Sequence, residues 1–393
     1  MTFILALVLA PLILLTFCFA VEVFAGLKPL RQQDTPPSAI GTRSVIIVPA
    51  HDEEAILADG LTSLRNAAGP TAHILVVADN CTDSTAKIGR QTGVEVVERF
   101  DAERRGKGFA LDFARRHLEA DPPHVVIIVD ADCSTDRASL DRLIVSCAQT
   151  GRPCQAMYLQ SPNRESSARV QLSSFAFFIK NAIRQRALQR LAGRGLLVGS
   201  GMAIPWPVFA QAELATGNIV EDLKLGQELA EAGHPPLFVE EATVWGHAET
   251  ERNSLSQRRR WEGGFLQNSI RSGPRLLARS ISRGDIRAAW AAVGLLIPPF
   301  ALLLLLDLFA LLLAAIAAFA TGMPAWPLLL LASSMAIAGI GLVLAWCTGG
   351  WRFVSAGALA RAPLYLLWKL PLYVGFVRHG APKEWVRTSR EES

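Results

Sequence analysis

The sequence predicts an α/β fold: a doubly wound, mostly parallel sheet, with one N-terminal and two C-terminal transmembrane helices plus interfacial helices. Three observations carry this. Between residues 44 and 132, aliphatic runs of strand length alternate with helical stretches, the spacing of parallel strand–helix–strand units. Acids follow those runs, at Asp52, Asp79, Asp130 and Asp132, and in a parallel sheet the residues after each strand collect along one edge. Hydrophobic residues make up 51% of the chain against 19% charged, and they concentrate at residues 1–26 and 291–377.

In chain order, Met1 to Phe24 is long enough to span a bilayer. A cleaved signal peptide is the alternative, but the segment lacks a positive start and its apolar run exceeds the usual core of such peptides. Lys28, Arg31 and Arg43 follow, so the excess of positive charge on cytosolic loops puts the N-terminus outside and the next domain in the cytosol. Gln32 to Thr42, with Pro36 and Pro37, reads as a linker. Strands are expected at Ser44–Pro49, His73–Ala78, Val94–Glu98 and over the run Val125 to Val129, with helices at 55–67, 84–92 and 109–119. Asp52, Glu53 and Glu54 open the first of these helices, where acids suit the helix dipole. Farther on, Gln155–Gln160, Leu196–Ala203 and Pro235–Trp245 read as strands, and Ser167–Leu191 and 223–232 as helices.

From Trp290 the chain is apolar again, and the 44 positions between Asp307 and Arg352 carry no charge (352 − 307 − 1). That leaves room for two spans, near 291–319 and 328–348, with Asp307 inside the first. Arg352, Arg361, Lys369 and two prolines interrupt residues 351–377, which fit an amphipathic stretch at the interface better than a fourth span. The expected organisation is an anchor at 1–26, a linker at 27–43, a cytosolic domain at 44–270, a juxtamembrane segment at 271–290, a transmembrane hairpin at 291–348, an interfacial segment at 349–378 and a tail at 379–393.

Composition narrows the chemistry. A net charge of +4 over 393 residues is too small to argue for nucleic acid. The six cysteines form no C-x-x-C pair, which argues against a disulfide framework or a zinc site and suits a reducing cytosol. The chemistry-bearing stretch is the buried run that ends in Asp130-Ala131-Asp132. Two carboxylates at the end of a buried strand suit a hard cation, Mg²⁺ or Mn²⁺, carried with a phosphate; an Asp-rich turn is the alternative. His51, His234 and His247 lack metal-ligand spacing.

The D-x-D of Asp130–Asp132 is followed by Glu221-Asp222 and then by Gln257-Arg258-Arg259-Arg260-Trp261, a Q-x-x-R-W. This ordered set resembles the family 2 glycosyltransferases of the GT-A type. It is most similar to their membrane-integrated synthases, the group of cellulose, hyaluronan and chitin-oligosaccharide synthases and ceramide glucosyltransferases. The resemblance covers roughly residues 44–270. It implies that Pro49, His51 and Glu53 belong to the turn holding the nucleotide base. Asp79 would bind uracil, alone, because Ala78 stands where the family often has a second acid. Lys107 would lie near the nucleotide, Asp130 on the ribose and metal side, and Asp132 on the metal. Gly199, Ser200 and Gly201 match the small-residue segment at the acceptor, and Asp222, with Glu221 beside it, matches the general base. Gln257, Arg260 and Trp261 complete the set: Arg260 on the phosphates and Trp261 under a sugar or acceptor.

The resulting expectation is an inverting, metal-dependent transferase in the inner or plasma membrane, moving sugar from a UDP-sugar to a membrane-associated glycan at the cytosolic face. Single-sugar transfer to a lipid acceptor of ceramide or polyprenyl phosphate type is the alternative, and a catalytically degenerate scaffold a more distant one. Membrane lipids are expected partners, with an oligomer or a secretion partner compensating for so few spans.

Overall fold

The computed structural model describes residues 2–31, 39, 41–69, 72–218, 220–246 and 251–380, with side chains for all of these except 251–257. Most of the expected linker, His247 and the tail from 381 lie outside the described residues. The described chain forms two compact units. Leu30–Ser161 and Arg194–Gln257 build a sheet unit; the residues up to Pro29, Pro162–Gly193 and the residues from Arg258 build a helical unit.

The sheet unit holds eight strands: β1 (Ser44–Ala50), β2 (Ala72–Asp79), β3 (Glu95–Arg99), β4 (Val125–Ile128), β5 (Cys133–Thr135), β6 (Cys154–Gln160), β7 (Met202–Pro205) and β8 (Leu237–Gly246). Their order across the sheet is β3-β2-β1-β4-β7-β6-β8-β5. The first four are mutually parallel, and their aliphatic runs are buried on both faces, with Ile46, Ile47, Leu75, Val76, Ile127 and Ile128 fully enclosed. This is why they read as continuous apolar stretches rather than as alternating ones. Helices Lys107–Leu118 and Glu221–Glu231 cover one face, packing Leu111, Ala114, Leu225 and Leu229 against Ile47, Val77 and Ile128.

Beyond β4 the mostly parallel sheet takes in its antiparallel pairs. β7 runs antiparallel to both β4 and β6, while β6 pairs parallel with β8. The strand expected at Leu196–Ala203 occupies only Met202–Pro205, because Gly199 (φ 99°) and Gly201 (φ 72°) take left-handed backbone that a strand cannot hold. β4 also stops at Ile128, so Asp130 and Asp132 stand in the turn after it. The expected helix at Ala55 starts at Leu57, which leaves Asp52, Glu53 and Glu54 in a non-helical turn.

In the helical unit, three helices among the described residues are long and apolar enough to cross a membrane: Thr2–Leu27, Phe300–Thr321 and Trp326–Thr348. The segment expected to span from 291 is divided. Helix Ile286–Leu296 ends, Ile297-Pro298-Pro299 intervenes, and the span begins at Phe300, since prolines lack the donors a continuous helix needs. Helix Ala362–His379 is not among the three. Three carboxylates inside this unit are paired. The Thr16 hydroxyl donates to Asp307 at 2.9 Å, and fully buried Glu22 accepts from Arg184 Nε at 2.6 Å while Arg184 Nη2 reaches the Gly294 carbonyl at 2.8 Å. Glu262, beside the Q-x-x-R-W, accepts from Lys369 and, at 2.7 Å, from the Tyr373 hydroxyl.

Candidate active site

The edge where β1, β2 and β4 end gathers the acids of the sheet unit. At the end of β1, His51 Nδ1 stands 2.6 Å from the Asp79 carbonyl. Asp52 adopts φ 52° and its carboxylate accepts the Thr82 amide at 2.6 Å, tying the β1 turn to the β2 turn. The Glu53 amide donates to the Thr85 hydroxyl at 2.7 Å. The Glu54 carboxylate accepts the Ser84 amide at 2.9 Å, so these three acids build a loop frame rather than a helix start. Asp79, at the end of β2, is buried with its carboxylate 2.6 Å from Arg99 Nη1. Arg99, the partner supplied by β3, did not stand out in the sequence; a basic residue closing the strand beside an acid-ended one was the signal.

The turn after β4 carries the charge. Lys107, at the start of its helix, binds one oxygen of Asp130 and donates to the Gly199 carbonyl at 2.8 Å. Burial alone would lower the Lys107 ammonium, but Asp130, Glu221 and Asp222 outweigh it and the ammonium is held above its ordinary range. Asp130 is pushed up by burial and by the charges of Asp132 and Asp222, against the pull of Lys107. Glu221 is pushed up to about 8, first by burial and then by Asp222. Lys107 and the carboxylates of Asp130, Asp132, Glu221 and Asp222 thus act on one another electrostatically at this end of the sheet.

The loop before β7 closes the other side. Asp222 lies in the first turn of helix Glu221–Glu231, two residues after the N-cap Val220; its Oδ1 accepts the adjacent Leu223 amide at 2.8 Å. A Cβ on Gly199 would sit 3.3 Å from Asp222 Oδ2, so only glycine brings the backbone this close. The Ser200 hydroxyl accepts the Asp130 amide at 3.1 Å. The loop itself hangs on Gln155, a fully buried side chain absent from the sequence-based site. Its Nε2 donates to the Ser200 carbonyl at 2.8 Å and its Oε1 accepts the Val198 amide at 2.9 Å. An amide set between Cys154 and Ala156 at the start of the largely apolar strand β6 was the available signal.

For a cation, carboxylate oxygens of Asp130 and Asp132 and the Cys133 sulfur lie within 4.8 Å of one another. Burial keeps the Cys133 thiol protonated, which leaves two hard oxygen donors, a set suited to Mg²⁺ or Mn²⁺. Of the Q-x-x-R-W, Gln257 lies on helix Glu251–Ser282 with its side chain outside the described residues. Arg260 and Trp261 are half-buried in the helical unit, where Trp261 packs 6.1 Å from Phe177. Pro49 sits inside β1, paired with Val77 of β2.

Residues 43–264 match the family model described as "Glycosyltransferase like family 2". The fold is similar to that of the mannosyltransferase PcManGT from Pyrobaculum calidifontis, solved with GDP-Man and Mn²⁺; the two are 19% identical with a TM-score of 0.56, over 93% of this chain and 99% of that one. More distant similarities include glucosyl-3-phosphoglycerate synthase from Mycobacterium tuberculosis (19% identity, TM-score 0.39, covering 61% and 84%). Another is mannosyl-3-phosphoglycerate synthase from Rubrobacter xylanophilus (18% identity, TM-score 0.41, covering 60% and 76%). No curated protein matches the chain in sequence.

Proposed function

The chain belongs to the glycosyltransferase-like family 2, and from that premise we propose that it is an inverting, membrane-integrated glycosyltransferase that moves a sugar from a UDP-sugar to a membrane-associated acceptor at the cytosolic face. The observation that carries the proposal is the grouping of Lys107, Asp130, Asp132, Glu221 and Asp222 at one end of the sheet. A divalent ion held by Asp130 and Asp132 would neutralise charge on the diphosphate. Lys107 adds a fixed positive charge on the same side. Asp222 takes the proton from the acceptor hydroxyl as that oxygen attacks the anomeric carbon from the face opposite the departing nucleoside diphosphate. Asp79, His51, Pro49 and Glu53 frame the nucleotide side and Gly199–Gly201 the acceptor side; for Gln257, Arg260 and Trp261 the support is the Q-x-x-R-W motif itself.

Glycan extension and single transfer to a lipid remain the two acceptor classes. That only three helices among the described residues qualify as spans favours a short product or a lipid acceptor over a wide channel within one chain. The test is to incubate the purified full chain with labelled UDP- and GDP-sugars and Mn²⁺ or Mg²⁺, then size the products. UDP-sugar turnover that is abolished in Asp132→Ala and Asp222→Asn supports the proposal, and full activity in both variants overturns the mechanism. A ladder of products sinks the single-transfer reading; one small lipid-linked product sinks the polymer reading.

A further inference from the structure

Arginines recur every fourth residue at Arg271, Arg275, Arg279, Arg283 and Arg287, and all five are exposed. The first three lie on helix Glu251–Ser282, Arg283 in the turn after it and Arg287 on helix Ile286–Leu296. Between Arg258 and Asp307 the only acids are Glu262 and Asp285, and Glu262 is already held by Lys369 and Tyr373.

The helix is not simply a solvated basic face. At about 100° per residue, Arg271, Arg275 and Arg279 occupy a stripe about 80° wide. Ile270, Leu277 and Ile281 form a second stripe that begins about 80° to one side of Arg271. The opposite face is the buried one, with Ser269, Gly273 and Ser280 turned inward. Ile270 is 65% exposed and Ile281 66%, and Ile286, at the start of the next helix, is 81% exposed. Large exposed aliphatic side chains bordered by arginines suit a boundary between acyl chains and phosphates, where the apolar stripe enters the bilayer and the guanidinium groups bind headgroup oxygens. The span Phe300–Thr321 starts 13 residues after Arg287 (300 − 287), which keeps the stripe close to the surface that this helix enters.

We propose that the segment from Ile270 to Arg287 docks on the anionic headgroups of the leaflet where Phe300 enters, and that anionic lipid is its ligand. The inference rests on the membrane-integrated reading and adds a lipid preference to it. Attraction of about 1 kcal/mol per arginine near an anionic surface corresponds to about fivefold each.

The test uses the full chain in nanodiscs of phosphatidylcholine alone, or with about a quarter phosphatidylglycerol, and follows amide hydrogen exchange over residues 268–287. Exchange is expected to slow on the order of tenfold or more in the anionic discs, and 1 M salt or the exposed-site variant Arg271→Gln/Arg275→Gln/Arg279→Gln should remove the difference. Equal exchange in both lipids, with the protein still resistant to carbonate extraction, overturns the lipid preference alone. Protection that is equal in both lipids and follows protein concentration assigns the face to a second copy and also overturns it. Release by carbonate overturns the membrane-integrated reading and the docking with it.

Discussion

Replacing Gln155 by leucine tests whether the loop before β7 is held from beneath. Leucine is of similar size and apolar, so packing changes little, but it can make none of the amide's hydrogen bonds. The Val198 N–H and the Ser200 carbonyl then lose the Gln155 side chain that bonds them at 2.9 and 2.8 Å. An unsatisfied buried backbone group costs about 1–3 kcal/mol, so the two together cost about 2–6 kcal/mol. The gain from a more apolar core offsets about 1–2 kcal/mol of this, leaving a mid-range net loss of about 2–3 kcal/mol. For a unit of this size, that lowers the melting temperature by roughly 2–4 °C per kcal/mol. Activity should fall further than stability requires, because Ser200 bonds the Asp130 amide and Gly199 bonds Lys107. A loop displaced by about 1 Å costs on the order of 100-fold in rate. The assay pairs thermal unfolding in detergent with sugar-transfer rates measured well below the variant's melting temperature. A variant that melts and transfers like the parent would refute the reasoning.

Three further outcomes are expected. Asp132→Asn should abolish both transfer and the thermal stabilisation that Mn²⁺ gives the parent, about 2.7 kcal/mol at 100 times the dissociation constant; unchanged stabilisation would place the ion elsewhere. Glu221 is raised from 4.5 to about 8, so between those values the folded protein holds a proton that the unfolded chain has released. Stability should therefore fall as pH rises through that window, by at most about 1.4 kcal/mol per pH unit, and Glu221→Gln should flatten the slope in denaturation at about pH 6 to 8. Arg184→Met strands the buried Glu22 carboxylate and should cost about 3–5 kcal/mol. Adding Glu22→Gln should recover most of that loss in thermal unfolding, and no recovery would mean the arginine acts through its bond to Gly294 instead.

How far the sequence could be read depended on whether a signal was local. β1, β2 and β4 were legible because strands covered on both faces leave uninterrupted aliphatic runs. The antiparallel setting of β7 was not, since Leu196–Ala203 looks equally apolar in either direction and the two left-handed glycines decide where the strand begins. The split at Ile297-Pro298-Pro299 was written in the prolines, but the hydropathy on either side masked it. Lys107, Asp130 and Asp222 were picked out by the order in which their neighbours recur along the chain. Gln155 and Arg99 were not, because what matters about them is burial and pairing, and a single residue type announces neither. The upward shift at Glu221 likewise comes first from burial, which exists only after folding.

The antiparallel course of β7 has a consequence for how such a site can be altered. In parallel strands the chain reaches the reactive edge on leaving the sheet, so changing a loop there also changes the path to the next helix. At β7 the chain arrives at the carboxylates first and enters the sheet afterwards. Met202–Pro205 are then pinned opposite Ile128–Val125. Residues 194–196 lie ahead of both the Gln155 bond to Val198 and this anchor, so changes in length are best confined there, outside the register of β4 and β7. A loop-length library confined to those positions would vary the approach to the site while Val198 to Pro205 keep their bonds to Gln155 and β4, a tolerance built into the direction of one short strand.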